Sequence, residues 1–170
     1  MNALIESLAG GNLSARQGWS HAGMSDCIFC KIVAGQLPCA KVLETESVLA
    51  FMDVNPLSAG HVLVIPKRHC ERLTDLPADD AAEIGKALPD VSRAVVVAAK
   101  AHGFNIYQTN GSCAGQVVGH VHFHIIPRNP GDGLGFRWNA GKYGPGEMET
   151  YRSLISQEIK LQVKAKEVAT

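Results

Sequence analysis

The chain has 170 residues, which suits one domain, and its 16 Lys and Arg balance 16 Asp and Glu. That balance argues against a nucleic-acid binder working through general phosphate attraction. An apolar content of 46 % excludes wholesale disorder, and no apolar run (the longest is Ala94–Ala99) nears the roughly 18–20 residues of a membrane-spanning helix. Five cysteines, an odd number in a chain able to build a core, point away from a secreted disulfide scaffold and toward a reducing compartment, the cytoplasm.

In chain order, residues 1–24 are rich in Gly, Ser, Ala and Asn without a period, and have neither the basic start nor the apolar core of a signal peptide. They read as a flexible extension, with Met24 a candidate start of the folded part. Patterned sequence begins at Ser25, and the far end, from about Lys160, reads as a fraying helix or a tail. Val48–Met52 reads as a strand stopped by the turn cluster Asp53-Val54-Asn55-Pro56. Gly60 leads into a second strand, His61–Pro66, rich in β-branched residues. Between Leu76 and His102 the spacing turns helical, with Ile84, Leu88, Val91, Val95 and Ala98 on one face. Thr74 or Asp75 is the expected cap and Gly103 the expected left-handed stop, while Pro89 is expected to kink or split the helix. Phe104–Thr109 returns to a strand, Asn110-Gly111 is a tight turn, and Val117–Pro127 is the last strand. The short link between the first two strands is no crossover, so the fold class is antiparallel α+β.

The chemistry concentrates in His120-Val121-His122-Phe123-His124. In a strand, residues i, i+2 and i+4 leave on one face, with successive Cα atoms on that face roughly 6.6 Å apart. Three of the chain's seven histidines at strict alternation are poorly explained as a merely polar surface. Two readings remain: a metal site, or a nucleophilic imidazole supported by others.

Further motifs accompany this one in order: Cys27-Ile28-Phe29-Cys30-Lys31-Ile32, Phe51-Met52-Asp53, Gly60-His61 through Lys67-Arg68-His69, Ala114-Gly115-Gln116, and the extension of the histidine segment to Pro127-Arg128. A lone His-x-His-x-His is a weak signal; the ordered set is specific. Together they resemble the histidine triad family of nucleotide hydrolases and transferases, from Ser25 to Arg137. The similarity is greatest to the branch of small homodimeric purine nucleoside phosphoramidases and their bacterial relatives. The resemblance implies bounds of 25–137 for the domain and 138–170 for a C-terminal segment. It implies a five-stranded antiparallel sheet with one main helix and a C-terminal helix, the sheet continuing across a homodimer. It implies hydrolysis of nucleoside 5'-phosphoramidates or related conjugates at the α-phosphate, with release of AMP or GMP. His122 would be the nucleophile that forms a nucleotidyl-histidine intermediate. His124, His61 and Gln116 would complete the catalytic set, Asp53 would accept the ribose hydroxyls, and Ile28, Phe29, Ile32, Phe51 and Val54 would wall the purine. Asn110 and Gly115 would lie in the phosphate loop. A dinucleoside polyphosphate hydrolase, or a nucleotide-binding scaffold with weak catalysis, are the alternatives, and neither nucleic acid nor membrane is an expected partner.

The sequence departs from the family pattern at Val117, where a Ser is usual beside the phosphate, at Gly119, where an aromatic is usual, and at Thr109, where Asn is common. The pair Cys27-x-x-Cys30 supplies half of a tetrahedral metal site, which His69 and His120 could complete. Bacterial relatives with this pair imply structural zinc; free thiols and a disulfide are the rival readings. Cys39, Cys70 and Cys113 have no partners by spacing.

Overall fold

The computed structural model describes residues 26–135 and 140–168; the expected extension 1–24 lies outside them. The chain divides into two compact units after Leu134. The first contains helix α1 (Ile28–Val33), strands β1 (Lys41–Glu44), β2 (Val48–Met52) and β3 (Val62–Pro66), helix α2 (Ala78–Ala98), and strands β4 (Gly103–Tyr107) and β5 (Phe123–Arg128). The second is helix α3 (Glu147–Val168), whose first turn carries Glu147 and Glu149, charges that suit the helix dipole.

The sheet runs β1-β2-β3-β5-β4, and every neighbouring pair is antiparallel. The fold is therefore α+β. β1 and α1 have no counterpart in the sequence-based elements. β1 is four residues long, mostly exposed and broken by a register shift between Lys41 and Leu43, so it carries no clean alternation.

Both faces of β2 and β3 are buried, and the side-chain alternation sorts them. Val48, Ala50, Val62, Val64 and Ile125 face α2 and pack with Ile84, Ala87, Val91 and Val95. Leu49, Phe51, Leu63 and Ile65 face α1 and pack with Cys27 and Phe29. Helix α2 thus covers one face, and the functional side chains gather on the other.

Three helix expectations are corrected. Thr74 and Asp75 do not cap α2; they belong to a 3-10 turn, Leu73–Asp75, and Pro77 stands at the N-cap. Pro89 lies inside an unbroken helix. It removes the bond to the Gly85 carbonyl, but both residues are exposed, so water can satisfy that oxygen. Gly103 does not stop the helix; it opens β4. The left-handed residue is Lys100, at φ 48°. Its N–H donates to the Val97 carbonyl and that of Ala101 to the Val96 carbonyl, the paired bonds of a Schellman ending.

Gly60 stands just before the second motif strand at φ +93°. A Cβ there would lie 3.1 Å from Ala99 Cβ and 3.3 Å from Pro127 Cγ, so the chain passes closely between the end of α2 and β5.

Candidate active site and metal centre

The expected strand over Val117–Pro127 is shorter: β5 begins at Phe123. His120, Val121 and His122 precede it in loop, with the Val121 N–H donating to the Cys70 carbonyl at 2.7 Å. Gln116 shapes this loop. Its Oε1 accepts from the Gly111 N–H at 2.6 Å, and its Nε2 donates to the carbonyls of Glu71 and Val118. Asn110 is similarly engaged, accepting from the Leu73 N–H, and the Gly115 N–H donates to Ser112 within a 3-10 turn. These three residues brace the loop in this structure.

His120, His61 and His122 are buried rather than solvent-facing, at 0 %, 1 % and 6 % exposure, while His124 and His69 are half-buried. The rings of His61, His124 and His122 form a chain with 5.0 Å between successive centroids, and His120 pairs with His69 at 5.2 Å. Phe29 meets His122 at 5.4 Å and His120 at 5.8 Å, edge to face. It also packs on Phe51, and Ile32 lies partly buried against the same cluster. Ile28 is half exposed, and Val54 and Val117 are almost fully exposed.

The fixed hydrogen-bonding character of backbone groups decides each ring's tautomer. His122 Nδ1 lies 2.6 Å from the His120 carbonyl, which can only accept, so Nδ1 carries the proton and Nε2 keeps a bare lone pair. His120 Nε2 lies 2.9 Å from the Pro66 carbonyl, so its bare nitrogen is Nδ1. His61 Nδ1 accepts from the Leu57 N–H at 3.2 Å, which places its proton on Nε2. That N–H donates to His124 Nδ1 at 2.9 Å and leaves His124 Nε2 as an N–H donor. Burial, followed by the adjacent His122 and His61, holds the His124 imidazole down at about 4. Burial also lowers His61. Both rings are therefore neutral at pH 7.

Asp53 divides its carboxylate. One oxygen accepts from the Asn55 N–H at 2.8 Å and shapes the turn; the other lies 3.7 Å from His61 Nε2 and 3.8 Å from His124 Nδ1. These three donors are close enough to surround a cation. The proton on His61 Nε2, enforced by the Leu57 amide, makes His61 and His124 a hydrogen-bond relay instead, with the Asp53 carboxylate beside it.

The other cluster has the opposite character. The ligand atoms of Cys27, Cys30, His69 and His120 lie within 4.8 Å of one another. His120 Nδ1 is 3.4 Å from His69 Nδ1 and 3.5 and 3.7 Å from the sulfurs of Cys27 and Cys30, and His69 Nδ1 is 3.2 Å from Cys30 Sγ. A tetrahedral zinc shell with Zn–N near 2.0–2.1 Å and Zn–S near 2.3 Å has edges of roughly 3.3–3.8 Å. The residues fit such an ion. The backbone contact on His120 Nε2 is the outer-shell partner that a metal-bound imidazole needs. Burial, followed by the neighbouring Cys27, pushes the Cys30 thiol up to about 12, so a bound cation is what would favour its thiolate.

Two groups at this site had no sequence signal: the Leu57 amide and the Pro66 carbonyl. Both act through the main chain, which motif spacing does not report.

A buried ring with one nitrogen bare lies beside a neutral His61–His124 relay and a Cys2His2 cluster able to hold a metal ion. The chain belongs to the HIT domain family, whose model matches residues 34–131. It is 43 % identical over 135 residues to adenosine 5'-monophosphoramidase hnt1 of Schizosaccharomyces pombe, covering 79 % of this chain and 98 % of that protein. It is 44 % identical over 110 residues to adenylylsulfatase HINT3 of Arabidopsis thaliana, covering 65 % of this chain and 56 % of that protein. Among solved structures, a HIT family member from Bacillus subtilis superposes with a TM-score of 0.73 at 42 % identity, covering 78 % of this chain and 96 % of that one. A Zn-bound histidine triad protein from Mycobacterium smegmatis gives a TM-score of 0.63 at 38 % identity, covering 70 % of this chain and 86 % of that one.

Proposed function

We propose that the protein is a histidine triad hydrolase that cleaves purine nucleoside 5'-phosphoramidates at the α-phosphorus through a covalent nucleotidyl-His122 intermediate. The observation that carries this reading is the 2.6 Å contact from His122 Nδ1 to the His120 carbonyl, which leaves Nε2 bare. Nε2 attacks phosphorus and the P–N bond breaks. The nitrogen leaves as the amine with a proton taken from solvent; water then attacks phosphorus, Nε2 departs, and the water's second proton returns to solvent. The His124 Nε2–H, fixed by the relay from Leu57 through His61, offers a hydrogen bond to the charge that develops on the phosphate oxygens. The free oxygen of Asp53 suits a ribose diol, and Phe29, Phe51, Ile28, Ile32 and Val54 suit a purine. The test is mass spectrometry after acid-free quenching of adenosine phosphoramidate turnover. An adduct on His122 is expected, together with loss of turnover in His122→Ala; an adduct on His61 or His124 would defeat the reading.

Val117 favours attention to the leaving group. With no hydroxyl after Gln116, a dinucleoside polyphosphate or another nucleotidyl conjugate is the second reading, separated from the first by relative kcat/KM across such a panel. A nucleotide-binding scaffold is the third reading, which measurable turnover would defeat.

Zinc, seated by Cys27, Cys30, His69 and His120, would cross-link α1 to the loops bearing His69 and His120 and add folding energy. The likeness to a Zn-bound relative and the fit of the donor set support this. A homodimer in the cytoplasm completes the proposal. Leu88, Pro89, Val96 and Val97 of α2 and Phe104 and Ile106 of β4 line an apolar groove, and β4 is an unpaired sheet edge. No helix of the described residues is long and apolar enough to cross a membrane.

A further inference from the structure

The metal cluster and the nucleophile are joined by two groups. His120 turns its Nδ1 lone pair to the cluster, while its backbone carbonyl accepts the Nδ1–H of His122. Phe29 sits in α1 between the two cysteines and places its ring against both His120 and His122. Each link is short, buried and made by one residue. The ring that binds the metal and the carbonyl that sets the nucleophile's tautomer therefore cannot move independently. The segment Gly119–His122 is loop rather than sheet, and the peptide that bears that carbonyl is held by one backbone bond, from the Val121 N–H to the carbonyl of Cys70, the neighbour of the cluster residue His69.

We infer that metal occupancy of the Cys27, Cys30, His69 and His120 cluster holds His122 in its reactive tautomer, with His120 and Phe29 as positioning residues. This rests on the reading of His122 as the nucleophile. Four coordinate bonds fix the His120 ring and the start of α1. Without a cation His120 keeps its Nε2 bond to the Pro66 carbonyl, but the cluster itself is tied only by thiol–imidazole and imidazole–imidazole contacts, in which sulfur is a weak donor and acceptor. When His120 is free to shift, its carbonyl no longer selects Nδ1–H on His122, and the alternative tautomer places the proton on Nε2, where no lone pair remains for attack. The metal then contributes to catalysis without touching substrate.

The test uses the full chain with 15N-labelled histidine, zinc-loaded, chelator-stripped and zinc-restored, at one fixed pH. The ring 15N shifts of His122 report its tautomer without substrate. The loaded protein is expected to show the Nδ1–H form alone. The stripped protein is expected to show a mixture, with adduct formation about tenfold slower, on the scale of one lost hydrogen bond; nucleotide binding should be nearly unchanged, and zinc should reverse the effect. Phe29→Leu, which keeps all four ligands, should retain one equivalent of zinc and still show mixed tautomers, and it decides the matter if the stripped protein unfolds. An unchanged His122 tautomer in folded stripped protein, or in zinc-loaded Phe29→Leu, overturns the inference alone. Failure of zinc to bind at this cluster, or turnover that survives His122→Ala, overturns the underlying reading and the inference with it.

Discussion

The two ends of the His120–His124 segment hold the same side chain in opposite hydrogen-bonding states. At the His120 end, a backbone carbonyl takes the Nε2 proton and leaves Nδ1 bare beside two sulfurs and a second imidazole. At the His124 end, a backbone amide, acting through His61, keeps a proton on every contact and leaves no nitrogen for a cation. His122 lies between them, bare on one nitrogen and with no sulfur neighbour among the described contacts. Residue type alone would make all three ligands, or all three catalysts. Which main-chain group meets which nitrogen separates them.

The comparison is broken most severely by exchanging the same substitution between its two ends. His122→Asn is expected to cut adenosine phosphoramidate turnover by on the order of a thousandfold or more, with zinc still at one equivalent by metal analysis. His120→Asn should instead lose the metal. The double variant Cys27→Ala, Cys30→Ala should also lose it and lower the thermal midpoint by about 10 °C, since binding energy is partly folding energy. Full metal retention in the double variant would disprove the cluster. At the other end, Leu57→Pro deletes the amide that fixes His61, while Leu57→Ala keeps it. The proline variant should lose about tenfold in kcat with little change in KM, and the alanine variant should behave as wild type.

The neutral relay also predicts a pH dependence. The folded chain holds His124 at about 4 and His61 below its ordinary value. Unfolded, each takes a proton near 6.5. The unfolded state therefore binds more protons as pH falls, so the stability contributed by the neutral rings is complete above about pH 6.5 and drains away toward pH 4. Thermal unfolding should show the midpoint falling across that window, less steeply in His124→Gln. The smallest effect expected is at Val117: Val117→Ser should preserve the rate or raise it a few-fold, read as kcat/KM.

Much of this was open to inspection in the sequence, for identifiable reasons. Val48–Met52 and His61–Pro66 were legible because both faces of those strands are buried and read as continuous apolar runs, the second rich in β-branched residues. The α2 stripe was legible because Ile84, Val91 and Val95 pack on one sheet face, although Ala98 of that stripe is exposed. Helix α1 was hidden by its length of six residues, too short for a period. The end of α2 was hidden because Lys100, not a glycine, takes the left-handed conformation. The histidine motif itself was plain, but its alternation suggested a strand where His120 and His122 lie in loop. No pattern of side chains could report that Leu57, Pro66 and His120 set the tautomers through backbone atoms.

Gly60 carries a consequence outside the chemistry. It adjoins His61 in the chain but brings no side chain to the site, and Gly60→Ala would impose an L side chain at φ +93° and press on Ala99 and Pro127 at once. The cost is about 1–3 kcal/mol, and it falls on the seam between α2 and β5. Each molecule that folds would work normally, while the number of folded molecules in a cell would drop as quality control removed the rest. Such a strain would resemble a weak active-site mutant in every growth assay and be told apart only by protein abundance, and lowering the culture temperature should restore it.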